Sequence, residues 1–386
     1  MDRRVACPVL MALLLTAAEA AEPPPFKEKA VTRIQLLPPG KGNPRNSEGD
    51  FIQLKDGRLL FIYTHFTGGG ADNAAAYLAS RASADGGLTW TDKDEEAGRG
   101  HPRVPARIVV PNEGKENVMS VSLLRLQSGE IALFYLRKNA WDDCRPYLRL
   151  SADEAKTWSE PSLVPQPGGY YVMNNDRVVQ LKSGRLVAPV AKHTEPGGKF
   201  SGHGVVSCFL ADDGGKTWHQ SKTQLTGETP KGRVVLQEPG VVELKDGRLL
   251  MFMRTTAGCQ YRSFSSDGGE TWSAAEPSNL ISPCSPASIE RIPKTGDLLV
   301  VWNNHEGIDA ARRGKRTPFN VAISRDEGRT WEKVRTLEDD PGGWYCYTAV
   351  EFVGDRVVLG HCAGQQKTGG LNLTQITLFD IDWLYR

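Results

Sequence analysis

Ser83-Ala-Asp85-Gly-Gly87-Leu-Thr89-Trp90 is the stretch on which the fold turns, because the chain repeats it. It returns as Ser265-Ser-Asp267-Gly-Gly269-Glu-Thr271-Trp272 and as Ser324-Arg-Asp326-Glu-Gly328-Arg-Thr330-Trp331. Two degenerate copies end at Trp158, where Ala155 replaces the glycine, and at Trp218, where Ala211 replaces the serine. The five tryptophans are spaced by 68, 60, 54 and 59 residues. A fixed period of this size marks a repeat architecture rather than a set of independent domains. In such a box the aspartate caps backbone N–H groups of its own turn, the glycine accepts positive φ and the tryptophan packs the turn down. The five aspartates therefore read as scaffold.

A second repeat runs out of phase with the first. Phe51-Ile-Gln-Leu-Lys55-Asp-Gly57-Arg-Leu-Leu-Phe-Ile-Tyr63 is an apolar strand, a tight turn and another apolar strand. Related turns fall at Gly129, Gly184 and Gly247, with looser ones at Lys294-Thr-Gly296 and Val353-Gly-Asp355. Asp-Gly and Ser-Gly between alternating apolar runs are strong hairpin signals. Each period thus holds a hairpin, a third strand such as Ala76-Tyr-Leu-Ala-Ser-Arg-Ala82, the box and a fourth strand. Six hairpins predict an all-β, six-bladed β-propeller of four-stranded antiparallel blades over residues 31–386. The segment Val31-Thr-Arg-Ile-Gln-Leu-Leu37 is expected to supply a strand that closes the ring.

Composition agrees with a turn-rich globular chain. Of 386 residues, 40 are glycine and 24 proline, and Lys+Arg 47 against Asp+Glu 46 leaves a net charge of +1. No positive excess is available to neutralise phosphates, so nucleic acid is not an expected partner. Arg3 and Arg4, the apolar run to Ala18 and Ala18-Glu-Ala20 read as a signal peptide over residues 1–20, with a proline-rich lead-in over 21–30. The run is short of the ~20 residues that span a bilayer. A secreted or periplasmic monomer, not an integral membrane protein, is the expectation. Six cysteines follow the leader: 144, 208, 259, 284, 346 and 362. They permit fifteen disulfide connectivities, or none if they are buried free thiols. Histidines and acids show no metal-ligand spacing, so neither metal nor cofactor is predicted.

Boxes and hairpins together resemble the sialidase (neuraminidase) superfamily over almost the whole chain after the leader. That resemblance implies a pocket in which arginines hold a sugar carboxylate bidentately. It implies a neutral tyrosine nucleophile activated by a glutamate, since a charged nucleophile would be repelled by that carboxylate, and an aspartate as acid/base. Carried over residue by residue, Glu238 in Gln237-Glu-Pro-Gly is the activating glutamate and Tyr347 the nucleophile, with Tyr345 competing. Asp72 in Gly68-Gly-Gly-Ala-Asp72 is the acid/base, and Arg254 and Arg316 are two clamps. The first arginine of the family is absent from its position: eight residues before Lys55 stands Ser47, in Arg45-Asn-Ser-Glu48. Arg45 is a candidate replacement, but Glu48 at the axis would oppose a carboxylate. His65 and the pair Asp176–Arg177 are expected to line the pocket, along with Arg137, His193, His305 and His361 at comparable strand ends.

The resemblance implies an exo-acting glycosidase that removes a terminal sialic acid or related acidic sugar from a glycan. A non-catalytic glycan- or protein-binding propeller, and an enzyme for a different polysaccharide using Glu48 and Asp176, remain open at this point.

Overall fold

Each of the six turns read from the sequence joins two antiparallel strands. Arg45–Gln53 pairs with Leu59–Phe66, Asn117–Arg125 with Ile131–Ala140, and Val179–Gln180 with Leu186–Thr194. Leu236–Glu243 pairs with Leu249–Thr255, Ser288–Arg291 with Leu298–Trp302, and Gly343–Val353 with Arg356–Gln365. The structure, a computed structural model, describes residues 30–91, 107–164, 168–229 and 232–386. The expected leader, and the lead-in up to residue 29, lie outside them.

The described residues are all-β apart from a five-residue helix, Ile381–Tyr385, and one 3-10 turn. Four sheets are four-stranded and antiparallel. The hairpins beginning at Asn117 and Val179 share a nine-stranded sheet, joined by a parallel bridge between Tyr170 and Cys144. The sheet holding Gly343–Val353 is completed at its far edge by Thr32–Leu37, which pairs with Thr374–Asp380. Apolar clusters fill the spaces between sheets. Phe51, Phe61 and Tyr63, for example, pack on Val358, Ile376 and Leu378, each such side chain stabilising the fold by roughly 1.5–3 kcal/mol. No helix among the described residues is long and apolar enough to cross a membrane.

The boxes make local hydrogen bonds. Asp85 Oδ1 accepts from the backbone N–H of Leu88 and Thr89 at 3.0 and 2.9 Å, and Trp90 Nε1 donates to Gly87 O at 2.9 Å. Asp267 and Trp272 repeat the pattern with Thr271 and Gly269. Ala155 takes the turn at φ 61° where Gly87 and Gly269 stand at 93° and 92°.

The first strands of the hairpins lie side by side. Arg45–Gln53 contacts Asn117–Arg125 and Gly343–Val353, and Ser288–Arg291 contacts Leu236–Glu243 and Gly343–Val353. Buried carboxylates tie these strands together: Asp50 Oδ2 accepts from Leu123 N at 2.7 Å and Asp176 Oδ2 from Val350 N at 2.9 Å.

One irregularity recurs at the start of these strands. The register slips between Ser47 and Asp50, Met119 and Ser122, Gln237 and Gly240, and Cys346 and Ala349. Within the slips Glu48, Ser120, Glu238 and Tyr347 have φ of 50°, 60°, 45° and 55°, and Asp176 has 55° at the matching place. A side chain in the left-handed region costs of order 1–3 kcal/mol, and such bulges re-aim the residues they carry. Close packing keeps the far end of the Glu238 bulge small: a Cβ on Gly240 would stand 2.2 Å from the Phe252 ring.

Candidate active site

The bulges turn Glu238 and Tyr347 toward each other. The Tyr347 hydroxyl donates to Glu238 Oε1 at 3.2 Å, and Arg254 Nη1 donates to the same oxygen at 2.7 Å. Glu238 is 9% exposed and its Oε2 has no hydrogen-bond partner among the described residues. Burial pushes its carboxyl up, but Arg254 and Arg316 outweigh burial and hold it below the usual carboxylate range. Burial and the Glu238 charge push the Tyr347 hydroxyl well above the ordinary phenol. The pair is thus an ionised carboxylate poised to accept the proton of a neutral tyrosine.

The two further arginines come from the ends of other strands. Arg254 closes Leu249–Thr255, and its Nε lies 3.2 Å from Cys284 Sγ. Arg316 precedes Phe319–Ser324; its guanidinium stands 5.2 Å from the Tyr347 ring centre and donates to Cys346 Sγ at 2.9 Å. Tyr345, the competing tyrosine, is buried against Phe319 in the apolar core, its ring 5.9 Å away.

Arg45 is the third arginine, two residues before the Ser47 reached by counting. It is 2% exposed and lies over the Phe66 ring at 4.4 Å. Its Nη2 donates to Glu48 Oε1 at 2.9 Å, its Nη1 to Asp72 Oδ1 at 2.6 Å and its Nε to Ser47 Oγ at 3.0 Å. Glu48 therefore partners an arginine instead of standing alone at the axis. Burial still raises its carboxyl despite Arg45. For Asp72, burial is outweighed by Arg45, so its carboxyl sits below the usual range. The loop that carries Asp72 is pinned through its backbone oxygen, which accepts from Lys138 Nζ at 2.7 Å and Asn117 Nδ2 at 2.9 Å.

Three predicted positions make their hydrogen bonds or ring contacts outside this cluster. His65 stacks on Tyr77 at 4.6 Å in the aromatic row with Tyr63, because it shares a strand face with Tyr63; burial and Arg81 push its imidazole down to about 4. Asp176 accepts from Val350 N and belongs with the buried Asp50 and the half-buried Glu290 and Glu351, a group of acids. Arg177 spends Nη2 on Ala287 O at 2.7 Å. Conversely, Cys284, Cys346, Lys138 and Asn117 touch the cluster and were not anticipated. Only Cys346 carried a signal, as the neighbour of Tyr347 in sequence. All six described cysteines are free.

A family model described as a BNR repeat-like domain matches residues 105–359. The chain belongs to that family. Within it the chain falls in the sialidase superfamily. A sialidase of Micromonospora viridifaciens is 24% identical over an alignment of 404 residues, covering 91% of this chain and 57% of the relative. An anhydrosialidase of Macrobdella decora is 28% identical over 193 residues, 48% of this chain and 22% of its own. The BNR chain thus spans little more than half of the one curated relative, and its match covers under a quarter of the other. Among solved structures, Trypanosoma rangeli sialidase superposes with a TM-score of 0.69 at 16% identity, over 93% of this chain and 60% of that one. A Dyadobacter fermentans protein of unknown function gives 0.68 at 18% identity, over 91% and 99%. At such identities the superpositions establish a shared fold.

Proposed function

We propose that this BNR chain is an exported, retaining exo-glycosidase of the sialidase type, acting on a glycan that ends in sialic acid or a related acidic sugar. The observation that carries the reading is the 3.2 Å contact from the Tyr347 hydroxyl to a Glu238 carboxylate that two arginines keep ionised. We place that site at one mouth of a six-bladed ring, closed by the pairing of Thr32–Leu37 with Thr374–Asp380.

In the first step Arg254 and Arg316 hold the sugar carboxylate. Tyr347 Oη attacks the anomeric carbon as its proton passes to Glu238, and Asp72 gives a proton to the departing oxygen. In the second, Asp72 takes a proton from water, the water oxygen displaces Tyr347 from the anomeric carbon, and Glu238 returns the proton to the phenolate. Two displacements give net retention. Arg45 serves chiefly to hold Asp72 and Glu48, so the substrate carboxylate meets two guanidiniums, Arg254 leaning on Glu238 and Arg316 on Cys346. That balance favours keeping related acidic sugars beside sialic acid as substrates.

The test is release from a fluorogenic sialoside, and from the same reporter on other acidic sugars, by the wild type and by Tyr347→Phe. Turnover of one of them by the wild type, abolished in the variant, supports the reading. Binding on a glycan array without release from any sugar would point to a non-catalytic lectin-like chain.

A further inference from the structure

One pair of groups against Tyr347 has no part in that chemistry. Cys346 on Gly343–Val353 and Cys362 on Arg356–Gln365 are direct register partners across the antiparallel pair. Both are buried, at 2% and 1% exposure, and both are free thiols. Facing residues in such a pair have Cα atoms about 4.5–5.5 Å apart, inside the roughly 4.4–6.8 Å span of disulfides. The other cysteines on strands face different residues: Cys144 opposes Lys138, Cys208 opposes Pro189 and Cys259 opposes Ile281.

The pair touches the site through Cys346. Cys346 Sγ accepts from Arg316 Nη1 at 2.9 Å, and the Cys362 thiol donates to it from the other side. Burial pushes the Cys346 thiol up, but those two donors outweigh burial and bring it below the ordinary thiol range, while Cys362 is pushed well above it. As the acceptor of Arg316 Nη1, the Cys346 sulfur competes with a substrate carboxylate for that guanidinium. Arg316 Nε, buried, has no acceptor among the described residues.

We propose that Cys346 and Cys362 are a disulfide-forming site next to the pocket, and that closing the bond releases Arg316 to bind a substrate carboxylate. The bond itself is independent of the proposed activity; the released clamp rests on it. The oxidant is a disulfide donor, either a small-molecule disulfide or an oxidoreductase. The Cys346 thiolate attacks one donor sulfur and expels the other as a thiol. The Cys362 thiol then loses its proton and attacks Cys346 of the mixed disulfide, expelling the second donor thiol. Two cysteine thiols are oxidised and one donor disulfide is reduced to two thiols. The neutral sulfur left at Cys346 is a weak acceptor and no longer holds the guanidinium.

Two measurements test this on the purified full chain. After equilibration with oxidised glutathione, alkylation in denaturant followed by intact mass should label two fewer cysteines than after reduction, with a linked peptide containing Cys346 and Cys362. An unchanged count, or a link between other cysteines, overturns the site. Calorimetric titration with N-acetylneuraminate should give about tenfold tighter binding to the oxidised form, the size of one charge-assisted contact. Cys362→Ala should stay at the reduced value under both conditions. Equal affinity of the two wild-type forms, or binding by neither, overturns the release of Arg316 while the mass result still decides the bond. Sialoside hydrolysis is measured separately, so its failure is distinguishable from either result.

Discussion

Tyr347 and Glu238 meet because two first strands, more than a hundred residues apart in sequence, carry the same backbone irregularity. Each residue occupies a left-handed bulge, at φ 55° and 45°, and the hydroxyl reaches the carboxylate across 3.2 Å. The bulge sets the direction of the side chain and the strand sets its height, so the contact is fixed by scaffold rather than by loops.

Removing either member should separate catalysis from folding. Tyr347→Phe keeps the ring packing over Arg316 and is expected to lower kcat on an activated sialoside at least about 10³-fold. Glu238→Gln should cost about 10²–10⁴-fold, the usual range for a lost general base. Thermal melts recorded beside the kinetics should show both variants folded; a Tyr347→Phe enzyme with wild-type turnover would remove tyrosine from the mechanism.

Asp72→Asn should be selective for the leaving group. Arg45 holds the Asp72 carboxyl low, so its protonated form, the acid of the first step, grows as pH falls. Wild-type rates on sugars with poorly departing alcohols should therefore rise on the acid side of neutrality. The variant should lose about 10²–10⁴-fold there and far less with a nitrophenol. Equal losses on both substrates would contradict a proton-transfer role.

Arg45→Met tests the buried ion cluster. It leaves Glu48, at 5% exposure, without its cation. Stranding a buried charge costs about 3–5 kcal/mol, which chemical denaturation would register as a lower midpoint. The double change Arg45→Met, Glu48→Gln should recover much of that loss. A single variant as stable as the wild type would mean that Glu48 is carried protonated without Arg45.

The acids near the inner strands give a pH signature. Burial raises Asp176 to about 6 and Glu351 to about 7. Their folded forms hold protons that the unfolded chain has released, so this contribution to stability falls as pH rises from about 4 to about 7. Glu351→Gln should flatten that slope in denaturant melts at pH 5, 6 and 7 and raise stability at the upper end. A slope unchanged by the substitution would show that Glu351 titrates normally.

Sheet content was legible because hairpin turns and boxes are local: Lys55-Asp-Gly57 and Asp267-Gly-Gly269 specify their own turns with neighbouring atoms. Glu238, Tyr347, Arg254 and Arg316 were reachable because they stand at fixed offsets from those turns, and the structure brings all four together. Arg45 was not. Counting along a regular strand leads to Ser47, whereas the bulge between Ser47 and Asp50 shifts the register and leaves Arg45, opposite Phe66, to reach back to Asp72. Alternation along Leu59–Phe66 puts His65 on the face of Phe61 and Tyr63, stacked on Tyr77 of the adjoining strand. The thiols beside the arginines depend on pairing between distant strands, which no local spacing records.

The pairing of Thr32–Leu37 with Thr374–Asp380 has a consequence for synthesis. The sheet that carries Tyr347 takes its outermost strand from the part of the chain made early and its neighbour from the part made late. A nascent polypeptide would thus carry Glu238 and Asp72 for much of its translation without a finished tyrosine sheet to oppose them. Under the proposed function, bond-breaking competence should appear only when the two halves of this seam meet, a built-in check against truncated products.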